Sequence, residues 1–283
     1  MQNLPYRIVT IVCESFNRYD TAGYAEKFLD KGFQVFSNFS LEPTGNSGTS
    51  FVCMDSEESW NVEATGINPW TPAFRQRVPA LDDKPKWISN FVTTKFFTPA
   101  WPRKWDITSL DPDRRQEDSC TMDSPMEPQA PIYTRFLQFL ESDFYESDYR
   151  RVIYWSLIGH VKRRAEKENS GIPANLKQTF SLWADLILDE ILPRVNFDNT
   201  VLMIHPDHGT RRKGRPMHQS VHDGWLWLRH PEFEIGKVHD RRISWRDYRR
   251  TVLDISRQDE PCKGNNSISI LTSQQLPARD RHE

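Results

Sequence analysis

Val201-Leu-Met-Ile204 is an unbroken apolar run that passes through His205 and Pro206 into Asp207-His208-Gly209. A short segment that is apolar at every position, rather than at every second one, fits a strand buried on both faces, as in a layered α/β sheet. Gly209 marks the turn that follows. Asp207 and His208 then stand at the carboxyl end of a strand, where open α/β sheets bind their ligands. A carboxylate beside an imidazole suits Zn²⁺ or Mn²⁺.

Other segments repeat the pattern. Arg7-Ile-Val-Thr-Ile-Val-Cys13 is a β-branched run that leads into Glu14. Arg151-Val-Ile-Tyr-Trp-Ser-Leu-Ile158 leads into Gly159-His160, and Phe33 to Phe39 and Trp225 to His230 read as further strands. Between them, helices are expected over about 21–31 (closed by Gly32), 132–140, 176–192 (ending at Pro193) and 244–254. Strands alternating with helices predict an α/β fold, a three-layer sandwich around a mostly parallel sheet. The stretch 61–124 is rich in Pro, Trp, Asp and Arg and has poor periodicity, so it reads as irregular structure with short elements, a lid or specificity insert. The expected organisation is one catalytic domain over 1–256 and a polar tail over 257–283, loose at its end.

With 283 residues the chain can bury a substantial core. A formal net charge of −2 argues against nucleic acid as the main partner. The 4 cysteines (Cys13, Cys53, Cys120, Cys262) form no CxxC pair or disulfide framework, so a reducing compartment is expected. Arg7 interrupts the first apolar stretch, which is too short for a signal peptide, and no run approaches transmembrane length. The expectation is a soluble cytoplasmic protein.

Glu14, His160 and the Asp207-His208 pair all follow apolar strands, and Thr49 lies in the Gly-rich turn Pro43-Thr-Gly-Asn-Ser-Gly-Thr49-Ser50. If the strands are neighbours, two carboxylates, an imidazole and a hydroxyl meet at one sheet edge and make a four-coordinate metal site. A metal there lowers the pKa of the hydroxyl and polarises a phosphoryl or sulfuryl oxygen. Thr44, Ser47 and Ser50 compete with Thr49 as the hydroxyl.

The order of these features resembles the alkaline phosphatase superfamily, in particular its sulfatase-like branch of phosphoethanolamine and glycerol-phosphate transferases. The resemblance rests on Ile-Val-Cys-Glu14, Ser47-Gly48-Thr49-Ser50, Trp155-Ser-Leu-Ile-Gly-His160, Asp198-Asn199-Thr200 and Pro206-Asp207-His208-Gly209, and covers roughly residues 6 to 255. It implies one divalent metal, Zn or Mn, held by Glu14, Thr49, Asp207 and His208. It implies Thr49 as the nucleophile, passing through a phosphothreonine. His160 and His218, with His222 as the alternative, would contact the phosphoryl oxygens or protonate the leaving group. Arg211, in the run Arg211-Arg-Lys-Gly-Arg215, would attract a phosphorylated small molecule or headgroup.

The chain departs from the family pattern at three places. Ser156 stands where two-metal members carry an Asp, which argues against a full second metal site. Pro206 replaces the usual Ser. No Cys or Ser followed by Pro and Arg occurs at Thr49, so sulfate-ester hydrolysis through formylglycine is not expected. The expected function is metal-dependent phosphoryl hydrolysis or transfer. The rival reading is a degenerate sulfatase-like scaffold, which would purify without stoichiometric metal.

Overall fold

The computed structural model describes residues 6–13, 16, 18–21, 23–40, 92–97, 129–156, 176–206, 224–233, 235–256 and 270–272. The first strand, β1 (Arg7–Cys13), is buried along nearly its whole length and runs through the centre of the sheet. Around it stand β2 (Gln34–Ser40), β3 (Thr94–Phe97), β4 (Arg151–Ser156), β5 (Thr200–His205), β6 (Gly224–Arg229), β7 (Lys237–His239) and β8 (Ile243–Ser244). Their order is β3-β4-β1-β5-β6-β2-β7, with β8 also on β2. β3, β4, β1 and β5 are mutually parallel, and β7 and β8 run parallel to β2. β6 is antiparallel to both of its neighbours, so it is the reversed strand in an otherwise parallel sheet.

Helices cover both faces, as the sequence leads one to expect. On one face pack α1 (Ala25–Leu29), α2 (Gln129–Gln138) and α3 (Leu176–Leu186), through Phe28, Phe136, Phe180 and Trp183 against Val9, Ile11, Val152, Leu202 and Trp227. On the other packs α4 (Trp245–Ile255), through Tyr248, Val252 and Ile255 against Ile8, Val201, Met203 and Leu228. The alternation of side chains along each strand divides the core into these two layers. The fold is therefore an α/β three-layer sandwich. The first layer is strongly aromatic: Phe180 meets Phe16, Tyr24, Trp225 and Trp227 with ring centroids 5.1 to 5.9 Å apart, each pair near edge-to-face. α2 and α3 each continue into a π-helical turn, Phe139–Asp143 and Ile187–Ile191, and the second turn buries both Ile187 and Ile191.

The structure shortens one expected helix and adds elements that the sequence does not locate. The helix read over 21–31 is only α1, because the chain turns at Gly23 (φ +89°) before it can wind; its end at Gly32 (φ +80°) is as expected. Within the interval read as irregular with short elements stands β3, which pairs with β4; its four residues, Thr-Lys-Phe-Phe, are too few for the sequence to locate by periodicity. β7 and β8 are shorter still. Within the polar tail, Ile270–Thr272 docks on the domain: Ile270 is fully buried against α4 and its amide donates to Thr251 Oγ1 at 2.8 Å. Among the described residues, no helix is long and apolar enough to cross a membrane.

Candidate functional site

The parallel register sets the strand ends side by side. Cys13 lies opposite Ser156 on β4, and Val12 lies opposite His205 on β5. The carboxyl ends of β4, β1 and β5 therefore finish in step, with β4 and β5 flanking β1 at about 5 Å on either side. Glu14 is bonded directly to Cys13, Asp207 follows Pro206, and His160 comes four residues after Ser156. Consecutive Cα atoms are separated by about 3.8 Å, so the attachment points of Glu14 and Asp207 belong to adjacent strands. Glu14, Thr49, His160, Asp207, His208, Arg211, His218 and His222 themselves lie outside the described residues. Among the described residues, no group of three His, Cys, Asp or Glu side chains could hold a metal ion.

The residues that lead to these positions are firmly held. On the β1 side, the Trp183 indole N–H donates to Cys13 Sγ at 3.0 Å, and the Trp225 indole N–H donates to the Phe16 carbonyl at 3.3 Å; both contacts are buried. Glu14 thus falls between two anchored residues, one tied to α3 and one to β6. On the β5 side, His205 Nδ1 lies 3.0 Å from the Pro206 carbonyl oxygen, and its ring meets Tyr248 at 4.8 Å and Phe39 at 6.0 Å, edge-to-face with each. Tyr248 in turn accepts a hydrogen bond from Arg151 Nη2 at 3.2 Å. Burial holds the His205 pKa down at about 4, a shift that the nearby Arg151 cation reinforces and the Pro206 carbonyl opposes. The imidazole is therefore neutral at pH 7.

His230, which follows the reversed strand β6, is also buried and takes no part in this edge. Its Nδ1 accepts the Glu232 amide N–H at 3.1 Å. Ser156, at the β4 end, is buried and sits in register with Cys13. Sequence reasoning did not mark Trp183 and Trp225 as anchors of the site, since an indole at a helical or strand spacing reads simply as core. The one available signal was their N–H, which needs an acceptor when buried.

No family model and no curated protein sequence matches this chain. Solved structures do resemble it. A protein in the alkaline phosphatase superfamily from Vibrio parahaemolyticus is 12% identical with a TM-score of 0.59, over 90% of this chain and 67% of that one. The C-terminal periplasmic domain of EptC from Escherichia coli, in complex with Zn, is 14% identical with a TM-score of 0.55, over 97% of this chain and 92% of that one. The lipoteichoic acid synthase LtaP from Listeria monocytogenes is 13% identical with a TM-score of 0.54, over 94% and 74%. At these identities the likeness is one of fold.

Proposed function

We propose that this chain, which has the fold of the alkaline phosphatase superfamily, uses the carboxyl edge of β4, β1 and β5 as a metal-dependent phosphoryl-transfer site. The observation that supports the reading is the register that ends these three strands together, at Cys13, Ser156 and His205, with Glu14 one residue beyond Cys13 and Asp207 two beyond His205 in the sequence. Superfamily structures with this fold include one solved with Zn. The donor set Glu14, Asp207, His208 and Thr49 is chemically suited to one Zn²⁺ or Mn²⁺. Such an ion supplies Lewis-acid polarisation of a phosphoryl oxygen and lowers the pKa of a bound hydroxyl.

In this reading Thr49 Oγ gives up its proton to solvent water and attacks phosphorus in line, and the bond to the leaving oxygen breaks as that oxygen is protonated by His160 or His218. The phosphothreonine is then discharged to water or to an acceptor hydroxyl. His222 and Arg211 bind the remaining phosphoryl charge. The substrate is a phosphomonoester or phosphodiester, either a small molecule or a headgroup, and the catalytic unit spans 1–256 with an insert at about 61–124.

The test is metal analysis of the purified protein together with turnover of aryl phosphomonoesters and phosphodiesters by wild type and Thr49→Ala. Bound Zn or Mn at one per chain, with turnover lost in the variant, is the expected result. Turnover that survives in Thr49→Ala refutes the nucleophile. A second reading, a binding protein of the same fold without catalysis, is favoured by Ser156, the departure at the end of β4. It predicts protein that purifies without metal and takes none up.

A further inference from the structure

We infer that His205 is a positioning residue for Asp207, acting through the peptide bond that joins Pro206 to Asp207. The inference rests on the proposed role of Asp207 as a metal ligand. The oxygen that His205 Nδ1 meets at 3.0 Å is the carbonyl of Pro206, and that carbonyl shares one rigid plane with the amide nitrogen and Cα of Asp207. A carbonyl oxygen only accepts, so Nδ1 carries the hydrogen and donates. Fixing the carbonyl therefore fixes the plane from which the Asp207 Cα departs.

Three further features make this anchor stiff. The imidazole is almost completely buried (1% exposed) and wedged between Tyr248 and Phe39, while Tyr248 is itself held by Arg151. The pyrrolidine ring fixes φ of Pro206. A residue before proline is confined to extended backbone, as His205 is at the end of β5. Freedom is thus removed on the amino side of the peptide bond that leads to Asp207.

The position also carries a cost that packing alone does not explain. His205 Nε2 is buried with no hydrogen-bond partner among the described residues. A buried acceptor left in this way destabilises a fold, and an apolar side chain there avoids the loss. An imidazole at this site is consistent with a use for its other nitrogen. Metal ligands are oriented by such neighbouring hydrogen bonds, and their removal weakens metal binding by roughly 10–100-fold.

The experiment measures Zn²⁺ and Mn²⁺ affinity, by competition with a chromophoric chelator, for wild type, His205→Asn, His205→Gln, His205→Leu and Asp207→Asn. The amide nitrogen of Asn reaches the place of Nδ1, whereas that of Gln reaches the place of Nε2. His205→Asn should keep the wild-type affinity, and His205→Gln and His205→Leu should lose about 10–100-fold. His205→Leu relieves Nε2 but leaves the Pro206 carbonyl without its donor, so its metal-free melting should stay near that of wild type; lost affinity in a stable variant separates positioning from folding. If Gln and Leu bind metal as tightly as wild type while Asp207→Asn does not, the inference is overturned and Asp207 remains a ligand. If Asp207→Asn binds metal as well as wild type, the reading of Asp207 fails and takes the inference with it.

Discussion

Arg7 offers the sharpest test of how the amino edge of the sheet is held. It opens β1, and its guanidinium donates to four backbone carbonyls of one turn: Phe144 at 2.6 Å, Tyr145 at 2.9 Å, Ser147 at 3.0 Å, and Tyr149. It also lies 5.2 Å from the centre of the Phe144 ring. The same turn reaches the lead-in to β5, since the Tyr145 hydroxyl accepts the Asn196 amide N–H at 2.7 Å. One side chain thus joins the segments that enter β1, β4 and β5. Arg7→Met keeps most of the unbranched stem and removes every donor. Hydrogen bonds to a charged group contribute about 1.5–3 kcal/mol each, but carbonyls of a half-buried turn regain water, so the losses do not add. The expected destabilisation is about 2–4 kcal/mol, a large part of the roughly 5–15 kcal/mol available to a typical fold. Urea unfolding followed by tryptophan fluorescence reads it as a lower midpoint at unchanged slope. Arg7→Lys, with one compact ammonium in place of a planar fork, should recover less than half of the loss. A loss below about 1 kcal/mol in Arg7→Met would refute the reasoning, because it would mean that water satisfies the turn as well as the guanidinium does.

Three further outcomes are expected. Burial lowers the His230 pKa to about 4, with Glu232 opposing the shift and Arg229 adding to it, and Nδ1 is occupied as an acceptor. The unfolded chain therefore takes up this proton first as pH falls, so the contribution of His230 is complete above about pH 6.5 and is lost progressively towards pH 4, by at most about 3 kcal/mol. His230→Asn, which retains an acceptor but does not titrate, should flatten that part of the stability profile; an unchanged profile counts against the assignment. Gly236→Ala should destabilise by about 1–3 kcal/mol, because a Cβ there would stand 2.1 Å from the Leu29 carbonyl oxygen, and that neighbour is backbone; thermal melting checks it. Phe180→Ala should cost about 3–5 kcal/mol in urea unfolding, since the ring is fully buried among other aromatics, and a smaller value would show that the aromatic layer closes over the gap.

Much of the sheet was legible in the sequence because β1, β4 and β5 are apolar on both faces, and that requires cover on both sides. The helices α2, α3 and α4 declared themselves through their 3.6-residue spacing, as did the end of α1 through Gly32. The direction of β6 was not legible, since an apolar run such as Trp225-Leu-Trp-Leu228 carries no mark of polarity. β3, β7 and β8 escaped because strands of two to four residues have too little length for a pattern. The docking of Ile270 escaped because one apolar residue in a polar stretch carries no periodic signal. For the site, sequence order alone suggested that Glu14 and Asp207 belong together, and the register of β1 with β5 supplies the adjacency of the strands they follow. The supports from Trp183, Trp225 and His205 depend on tertiary contacts between residues far apart in the chain or on the direction of a ring, neither of which a linear pattern records.

The outer strands have a consequence for how copies of this protein meet one another in solution. Among the described residues the sheet ends on one side in β3, four residues long, and on the other in β7 and β8, which pair in turn with β2. β7 and β8 are separated by Asp240-Arg241-Arg242, and β2 is irregular between Phe36 and Phe39. Lys95 and Lys237 are placed in the border strands themselves. Short, interrupted, lysine-bearing borders offer a foreign strand few consecutive amides and carbonyls to extend. Among the described residues, a sheet so rich in buried aromatics and β-branched side chains is thereby guarded at its margins against edge-to-edge polymerisation.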